Sequence, residues 1–404
     1  MIWQVIHIIE TCLWLLLAAS GAYILFFSLA SLLRRKSSTR RTASLSGKTR
    51  SMHDGKHYTY LILYPAYNED RVIISSVETF LRQDYPRDCF QVAVISDHMQ
   101  PETNNRLSQL PITLLQPVFE KSSKAKAMQY ATSQTDKDFD YVVILDADNV
   151  VNTDFLQKLN DCCAKGYQAI QCHRCAKNAN NDIAVLDGVS EEINNTLFRK
   201  AHNRIGLSSA LIGSGMCFDY RWFRENVNQL TTAGEDRELE ALLLKQKIYI
   251  HYEEDIPVFD EKVSNQENFQ KQRLRWMTAQ IQSLLSLLPY IPQAVATANV
   301  DFIDKTVQQA LIPRSMLLVL TTLFTLATTV LSLFTLHSSL FTLKWWLLLL
   351  VVCLALYIAI PKRLRSHSVF GKITALPILV WRMMLNLVKI DHKNTDFIHT
   401  RHDK

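Results

Sequence analysis

Tyr141-Val142-Val143-Ile144-Leu145-Asp146-Ala147-Asp148 decides the fold. Five apolar residues run without alternation, which reads as a strand buried on both faces, near the middle of a sheet. Two acids follow directly. In open α/β sheets, ligands bind beyond the carboxyl ends of the strands. Similar runs lie upstream: Tyr60 to Tyr64 (YLILY), closed by Pro65; Gln91 to Ser96 (QVAVIS), closed by Asp97; and Ile112 to Leu115. Helical spacing fills Val72 to Leu81 and Lys124 to Thr132. The alternation predicts an α/β domain whose sheet is covered by helices. Asn68, Asp97, Asp146 and Asp148 all follow strand ends.

Outside this domain the composition changes. Thr11 to Leu33 carries no charge and is long enough to cross about 30 Å of hydrocarbon. Ser315 to Leu336 and Leu340 to Ile360 are two further candidates, the last with only Lys344 near its start. The first span is not a cleavable signal. Lys and Arg are missing before it, and a basic run comes after it: Arg34, Arg35, Lys36, Arg40, Arg41, Lys48 and Arg50. That run and Lys362, Arg363 and Arg365 place the middle of the chain in the cytoplasm of a cell with three crossings of the inner or plasma membrane.

The expected division is therefore an N-terminal span in 1–36, a basic linker in 37–56, a cytoplasmic α/β domain in 57–280, interfacial helices in 281–313, two spans in 314–361, and an interfacial helix with a C-terminal segment in 362–404. Ile281 to Ile291 is short and broken by Pro289, which suits the membrane interface better than its core. Lys372 to Ile390 reads the same way, with a fourth crossing as the alternative. The net charge of +6 is mostly juxtamembrane and points to anionic lipid rather than nucleic acid. Of the eight cysteines, Cys172 and Cys175 form a lone CxxC. Without a second pair they read as thiols in a reducing compartment.

Several residues carry chemistry. Asp146 and Asp148 are oxygen ligands of the kind Mg²⁺ or Mn²⁺ takes alongside phosphate, and the strand end is expected to leave both accessible. The bland alternative is a turn. Asp97 could accept a hydrogen bond from a uracil N3–H, and Lys124 or Lys126 could meet phosphate. Gly234-Glu235-Asp236 opens a helix, where acids also act as caps; functionally Asp236 could take a proton from an attacking hydroxyl. In QRLRW, Arg275 can fork onto phosphate, Trp276 offers a flat face to a sugar, and Gln272 can hydrogen-bond to either.

Taken in order, these motifs resemble the family 2 inverting glycosyltransferases, in the membrane-embedded branch of cellulose, chitin, hyaluronan and bacterial poly-N-acetylglucosamine synthases. The likeness runs from about Tyr60 to Trp276 and includes the flanking spans. It implies a GT-A (Rossmann-like) nucleotide-sugar domain with a mixed sheet. YPAYNED, from Tyr64 to Asp70, is similar to the nucleotide-binding start, with Pro65, Tyr67, Asn68 and Glu69 in place. Asp97, Lys126, the DAD, GED and QRLRW come in the family's order, so Asp236 with Glu235 becomes the catalytic pair.

Gly213-Ser214-Gly215 is similar to the acceptor loop. Phe397 to Arg401, with Thr400, is similar to a gating segment. The implied donor is a UDP-sugar, with N-acetylglucosamine or glucose first. The implied acceptor is a growing saccharide or a lipid-linked sugar at the bilayer. A catalytically silent nucleotide-sugar binder is the other alternative, and oligomeric state stays open. Gly234 stands where the family often has threonine, and the usual glycine before the lysine is missing; both departures bear on processivity.

Overall fold

The computed structural model describes residues 2–34, 55–178, 181–232, 234–262, 266–334 and 339–365. The expected helix at 372–390, the gating-like segment with Thr400 and nearly all of the linker lie outside the described residues.

A long helix, α1 (Ile2–Ala30), precedes the domain. Then come β1 (Tyr60–Tyr67), α2 (Ile73–Phe80), β2 (Phe90–Asp97), α3 (Pro101–Ser108), β3 (Thr113–Leu115), α4 (Lys124–Ser133), β4 (Tyr141–Ile144), β5 (Val150–Val151), α5 (Phe155–Ala164) and β6 (Ala169–Ala176). Next, α6 (Asp182–Asn194) runs through a π-helical stretch, Asn195–Ala201, into α7 (His202–Ile205). Beyond these lie β7 (Met216–Asp219), α8 (Tyr220–Asn226), α9 (Glu235–Lys245) and β8 (Ile250–Asp260). The chain finishes its described part with α10 (Gln266–Leu287), α11 (Ile291–Ala296), α12 (Val300–Ala310), α13 (Arg314–Phe334) and α14 (Ser339–Ala359).

The eight strands form one sheet in the order β3-β2-β1-β4-β7-β6-β8-β5. Strands β3, β2, β1 and β4 are parallel. Strand β7 runs antiparallel to both β4 and β6, and β8 returns parallel to β6. The YVVIL run is central, as its unbroken apolarity requires. On β1 the two faces separate cleanly: Tyr60, Ile62 and Tyr64 enter one core, and Leu61 and Leu63 the other. Helices therefore cover both sides. This is a GT-A-type mixed architecture, joined to three helices long and apolar enough to span a membrane: His7–Ala30, Arg314–Phe334 and Phe341–Ala359.

Those three helices share one core with Leu197 and Ala201 of the π-helical stretch, built on Leu17, Ile24, Phe27, Leu317, Trp345, Leu348 and Val352. At the end away from the domain, Glu10 pairs with Lys344 at 2.7 Å and accepts from the Trp345 indole at 2.8 Å. At the domain end, Tyr23 donates to Asp304 at 2.8 Å. The imidazole of His202 lies flat on Phe27 with centroids 3.8 Å apart. The expected short helix at Ile281 to Ile291 is the tail of α10, a 3₁₀ turn at Leu288–Tyr290, and the start of α11. Leu285, Leu288 and Val295 there are exposed.

Candidate functional site

Strand ends, the start of α9 and the middle of α10 converge on one cavity of about 880 Å³. Pro65, Tyr67, Glu69, Asp97, Asp146, Asp148, Gly213, Glu235, Asp236, Gln272, Arg275 and Trp276 all line it. Asp148 and Asp236, 88 positions apart in the chain, thus face one space.

Helix α4 explains which lysine enters. The Ser123 hydroxyl caps it by accepting the Lys126 N–H at 3.2 Å. Lys124 stands at the first helical position and reaches inward. Its Nζ lies 2.5 Å from Asp146 Oδ1, 2.6 Å from the Gly213 carbonyl and 3.6 Å from Glu235 Oε1. Burial alone would lower the Lys124 ammonium; Asp146 and Glu235 outweigh it and hold the group above the ordinary lysine value. Lys126, two positions on, points away and donates to the Lys121 carbonyl at 2.7 Å. Of these two lysines, Lys124 is the one that lines the cavity.

Gly213 marks the point of convergence. A methyl group there would lie 3.7 Å from both Asp236 Oδ2 and Glu235 Oε1, and 3.9 Å from Lys124 Nζ. Ser214 and Gly215 stand behind the wall. Ser214 is fully buried, bonded to Asn149, and accepts from the Asp146 N–H at 3.1 Å. Gly215 has φ +63°, and a Cβ would meet Val258 at 3.0 Å. Asn68 is likewise a turn residue, with φ 54° and its N–H on the Asp97 carbonyl at 3.2 Å. Ser214, Gly215 and Asn68 shape the loops that carry the site without lining it.

The two aspartates of the DAD differ. Asp146 is partly exposed to the cavity. Asp148 is only 5% exposed, because the expected accessible strand end is a turn. Its Oδ2 accepts from the Glu261 N–H at 2.7 Å and its Oδ1 from Asn149 at 3.0 Å. These are hard oxygen donors and fit a hard divalent cation. Asp146 is the accessible carboxylate, and Asp148 a rigid one held from behind. Among the described residues, two other groups place three possible ligand atoms within 4.8 Å of one another: Cys162, His251 and Glu253, and His173, Cys175 and Glu192. Neither contains Asp146 or Asp148, and neither lines the cavity.

Glu235 follows Gly234 as the first residue of α9. Burial pushes its carboxyl up to about 7, against the pull of Lys124 and with a further push from Asp236. Asp236 Oδ1 accepts the Arg237 N–H at 2.8 Å, leaving Oδ2 toward Gly213. Asp97 is buried and bonded to His98 at 2.6 Å. Burial lowers the Arg275 guanidinium despite the fields of Glu235, Asp146 and Asp236. The Gln272 side-chain oxygen is buried with no hydrogen-bond partner among the described residues.

Sequence reasoning missed several cavity residues, and four cations among them stand out. Arg174, on β6, pairs with Asp260 at 2.5 Å. Arg273, inside QRLRW, pairs with Asp187 at 2.7 Å and lies over the Trp276 ring at 4.8 Å. Lys305 pairs with the buried Glu240. Arg314 opens α13. The available signals were an arginine inside a buried strand and an arginine at a span boundary.

Residues 141–360 match the family model described as Glycosyl transferase family group 2. No curated protein matches the chain. Among solved structures, the chain is similar to the mannosyltransferase PcManGT from Pyrobaculum calidifontis, in complex with GDP-Man and Mn²⁺. Identity is 17%, over 87% of this chain and 100% of that one, at a TM-score of 0.48. It is also similar to S. aureus TarS 1-349 in complex with UDP-GlcNAc, with 13% identity, 83% and 95% coverage, and a TM-score of 0.43. GalNAc-T7 with UDP, GalNAc and Mn²⁺ gives 12% identity, 52% and 45% coverage, and a TM-score of 0.41. The family model spans more than half of the sequence, and this chain belongs to glycosyl transferase family group 2.

Proposed function

We propose that the chain is an inverting glycosyltransferase that moves a sugar from a UDP-sugar, N-acetylglucosamine or glucose first, to a growing β-linked polysaccharide at the cytoplasmic membrane face. The observation that carries this reading is the convergence of Asp236, Glu235, Lys124, Asp146 and Arg275 on one cavity. Asp97, at the end of β2, would accept from the base. Lys124 and Arg275 meet the diphosphate, and Trp276 lies beneath the acceptor sugar. Mg²⁺ or Mn²⁺, held by Asp146 with Asp148, would neutralise charge on the departing diphosphate.

In the transfer, the acceptor hydroxyl oxygen bonds to the anomeric carbon as the bond from that carbon to the β-phosphate oxygen breaks. The electron pair leaves with the nucleoside diphosphate. The hydroxyl proton passes to Asp236, and Glu235, neutral or ionised near pH 7, fixes Lys124 beside it. One displacement turns an α-linked donor into a β-linked product.

Charge supports an orientation. Arg34 comes after α1 and Lys362, Arg363 and Arg365 after α14, while Arg363 reaches Glu192 of the domain at 2.6 Å. Both basic ends lie on the domain side, which supports a cytoplasmic domain under the positive-inside rule. A second reading, addition of one sugar to a lipid-linked acceptor, is favoured by the reach of the cavity to Leu318, Val319, Leu356 and Tyr357 of the apolar helices.

The test is nucleotide release by the purified full chain against UDP- and GDP-sugars with Mg²⁺ or Mn²⁺, with product mass measured afterwards. Release from a UDP-sugar with a β-linked ladder is expected. Binding of every donor without release would overturn the enzymatic reading, and a single-addition product would overturn the polymer.

A further inference from the structure

The cavity does not end at the catalytic acids. It continues past Ser190 to the three apolar helices, where Ile24 of α1, Leu318 and Val319 of α13, and Leu356, Tyr357 and Ile360 at α14 line it. At the change from polar to apolar wall stands Arg314. Its guanidinium donates to the Ser190 carbonyl at 3.1 Å and to the Ser190 hydroxyl at 3.3 Å. Arg273 donates to the same hydroxyl at 3.4 Å. Two guanidinium groups therefore converge on one serine.

The carboxylates nearby are already engaged. Asp187 is bound by Arg273 at 2.7 Å, and Glu191 by Arg199 at 3.1 Å. Among the described residues Arg314 has no carboxylate partner. A cation in such a place costs free energy unless an anion meets it. This position is distinct from the one at the sheet: Arg314 and Arg273 bond Ser190 and Asp187 of α6, whereas Lys124 bonds Asp146 and the Gly213 carbonyl. On the sheet side the wall carries Asp146, Glu235 and Asp236. The wall beyond Arg314 is hydrocarbon, so the ligand that fits both carries an apolar tail.

We propose that Arg314, Arg273 and Ser190 form a second phosphate site, which holds the phosphate of a membrane-resident amphiphile with its tail between α13 and α14 and its head toward Asp236. The site deepens the lipid-linked acceptor reading and rests on it for the role of the bound molecule, while the binding itself can be measured without turnover. Arg314 is a positioning residue, since the reacting hydroxyl lies at the other end of the acceptor.

The experiment uses the full chain in neutral-lipid nanodiscs and a labelled polyisoprenyl monophosphate as probe. Inorganic phosphate and phosphatidylglycerol serve as separate competitors, and UDP is titrated in parallel. Arg314→Gln is expected to weaken probe binding roughly tenfold or more, as loss of a charge-assisted phosphate contact does, and to leave UDP affinity unchanged. Arg314→Lys should recover part of the loss. Leu318→Trp, which fills the apolar limb without altering charge, should weaken the probe and not UDP.

Competition by phosphatidylglycerol would support the site and name a phospholipid headgroup as its source; resistance to it would support a polyisoprenyl acceptor. Unchanged probe affinity in Arg314→Gln overturns the proposal. So does inorganic phosphate competing as well as the amphiphile. Should Arg314→Gln fail to fold, unchanged probe affinity in Leu318→Trp overturns it equally. Failure of UDP to bind the wild-type chain would strike the donor assignment alone.

Discussion

At the sheet end of the cavity, Lys124 is matched to Asp146 and Arg174 to Asp260. At the bundle end, Arg314 meets a serine and a wall of leucines. The sheet end is thus neutralised before any ligand arrives, and a donor must exchange partners to enter. The bundle end keeps its charge. One cavity presents two kinds of readiness, and substitutions can separate them.

The largest separation is expected from Asp236→Asn. Transfer should fall by about 10² to 10⁴, the usual worth of a positioned base, while UDP affinity measured by calorimetry stays near wild type. Turnover within a few-fold of wild type would remove Asp236 from the role.

Next comes Lys124→Ala, which strips the sheet end of its central cation. A loss of about 10² in kcat is expected, comparable to removing one electrostatic donor from an active site. The matched Lys126→Ala should stay within about twofold, because that side chain points away. Equal losses in the two variants would refute the placement of α4.

Gly215→Ala comes third. Forcing a side chain into a left-handed backbone, with a 3.0 Å contact to Val258, should cost about 1–3 kcal/mol of domain stability, read from denaturant midpoints. The smallest effect is on pH dependence. The Glu235 carboxyl is raised to about 7 from 4.5, so between those values the folded state binds more protons than the unfolded one. Its contribution is complete below pH 4.5 and is lost as pH rises through 7. Glu235→Gln should flatten that part of the stability–pH curve. An unchanged slope would show that Glu235 titrates normally.

Much of this was legible in the sequence, for identifiable reasons. β1, β2 and β4 were readable because buried strands are continuously apolar. Asp97 and Asp146 were readable because the residue just past a parallel strand lies at the ligand-binding edge of the sheet. Spans were readable from length alone. Lys124 and Lys126 were separable only by face: two positions along a helix turn a side chain about 200°, and the Ser123 cap that sets the starting face is a weak signal. Asp148 looked open because a strand was extended one turn too far. Arg174 sits on β6 next to a register shift between Cys172 and His173, which no alternation rule anticipates. Arg314 directly precedes the span expected from Ser315 and was not singled out, since its inward direction depends on Ser190 of α6, more than a hundred residues earlier.

The π-helical stretch Asn195–Ala201 has a consequence for evolution and engineering. Wide turns of this kind hold a surplus residue relative to an α-helix. Here the stretch runs directly into His202, which lies flat on Phe27 of the first span. Removing a single amino acid from the stretch would let the coil close to ordinary α geometry with His202 nearly in phase, whereas removing one from the regular helix before it would turn everything after it by about 100°. In the second case the imidazole would leave its aromatic seat. The wide turn is the place where this helix can absorb a one-residue change in length.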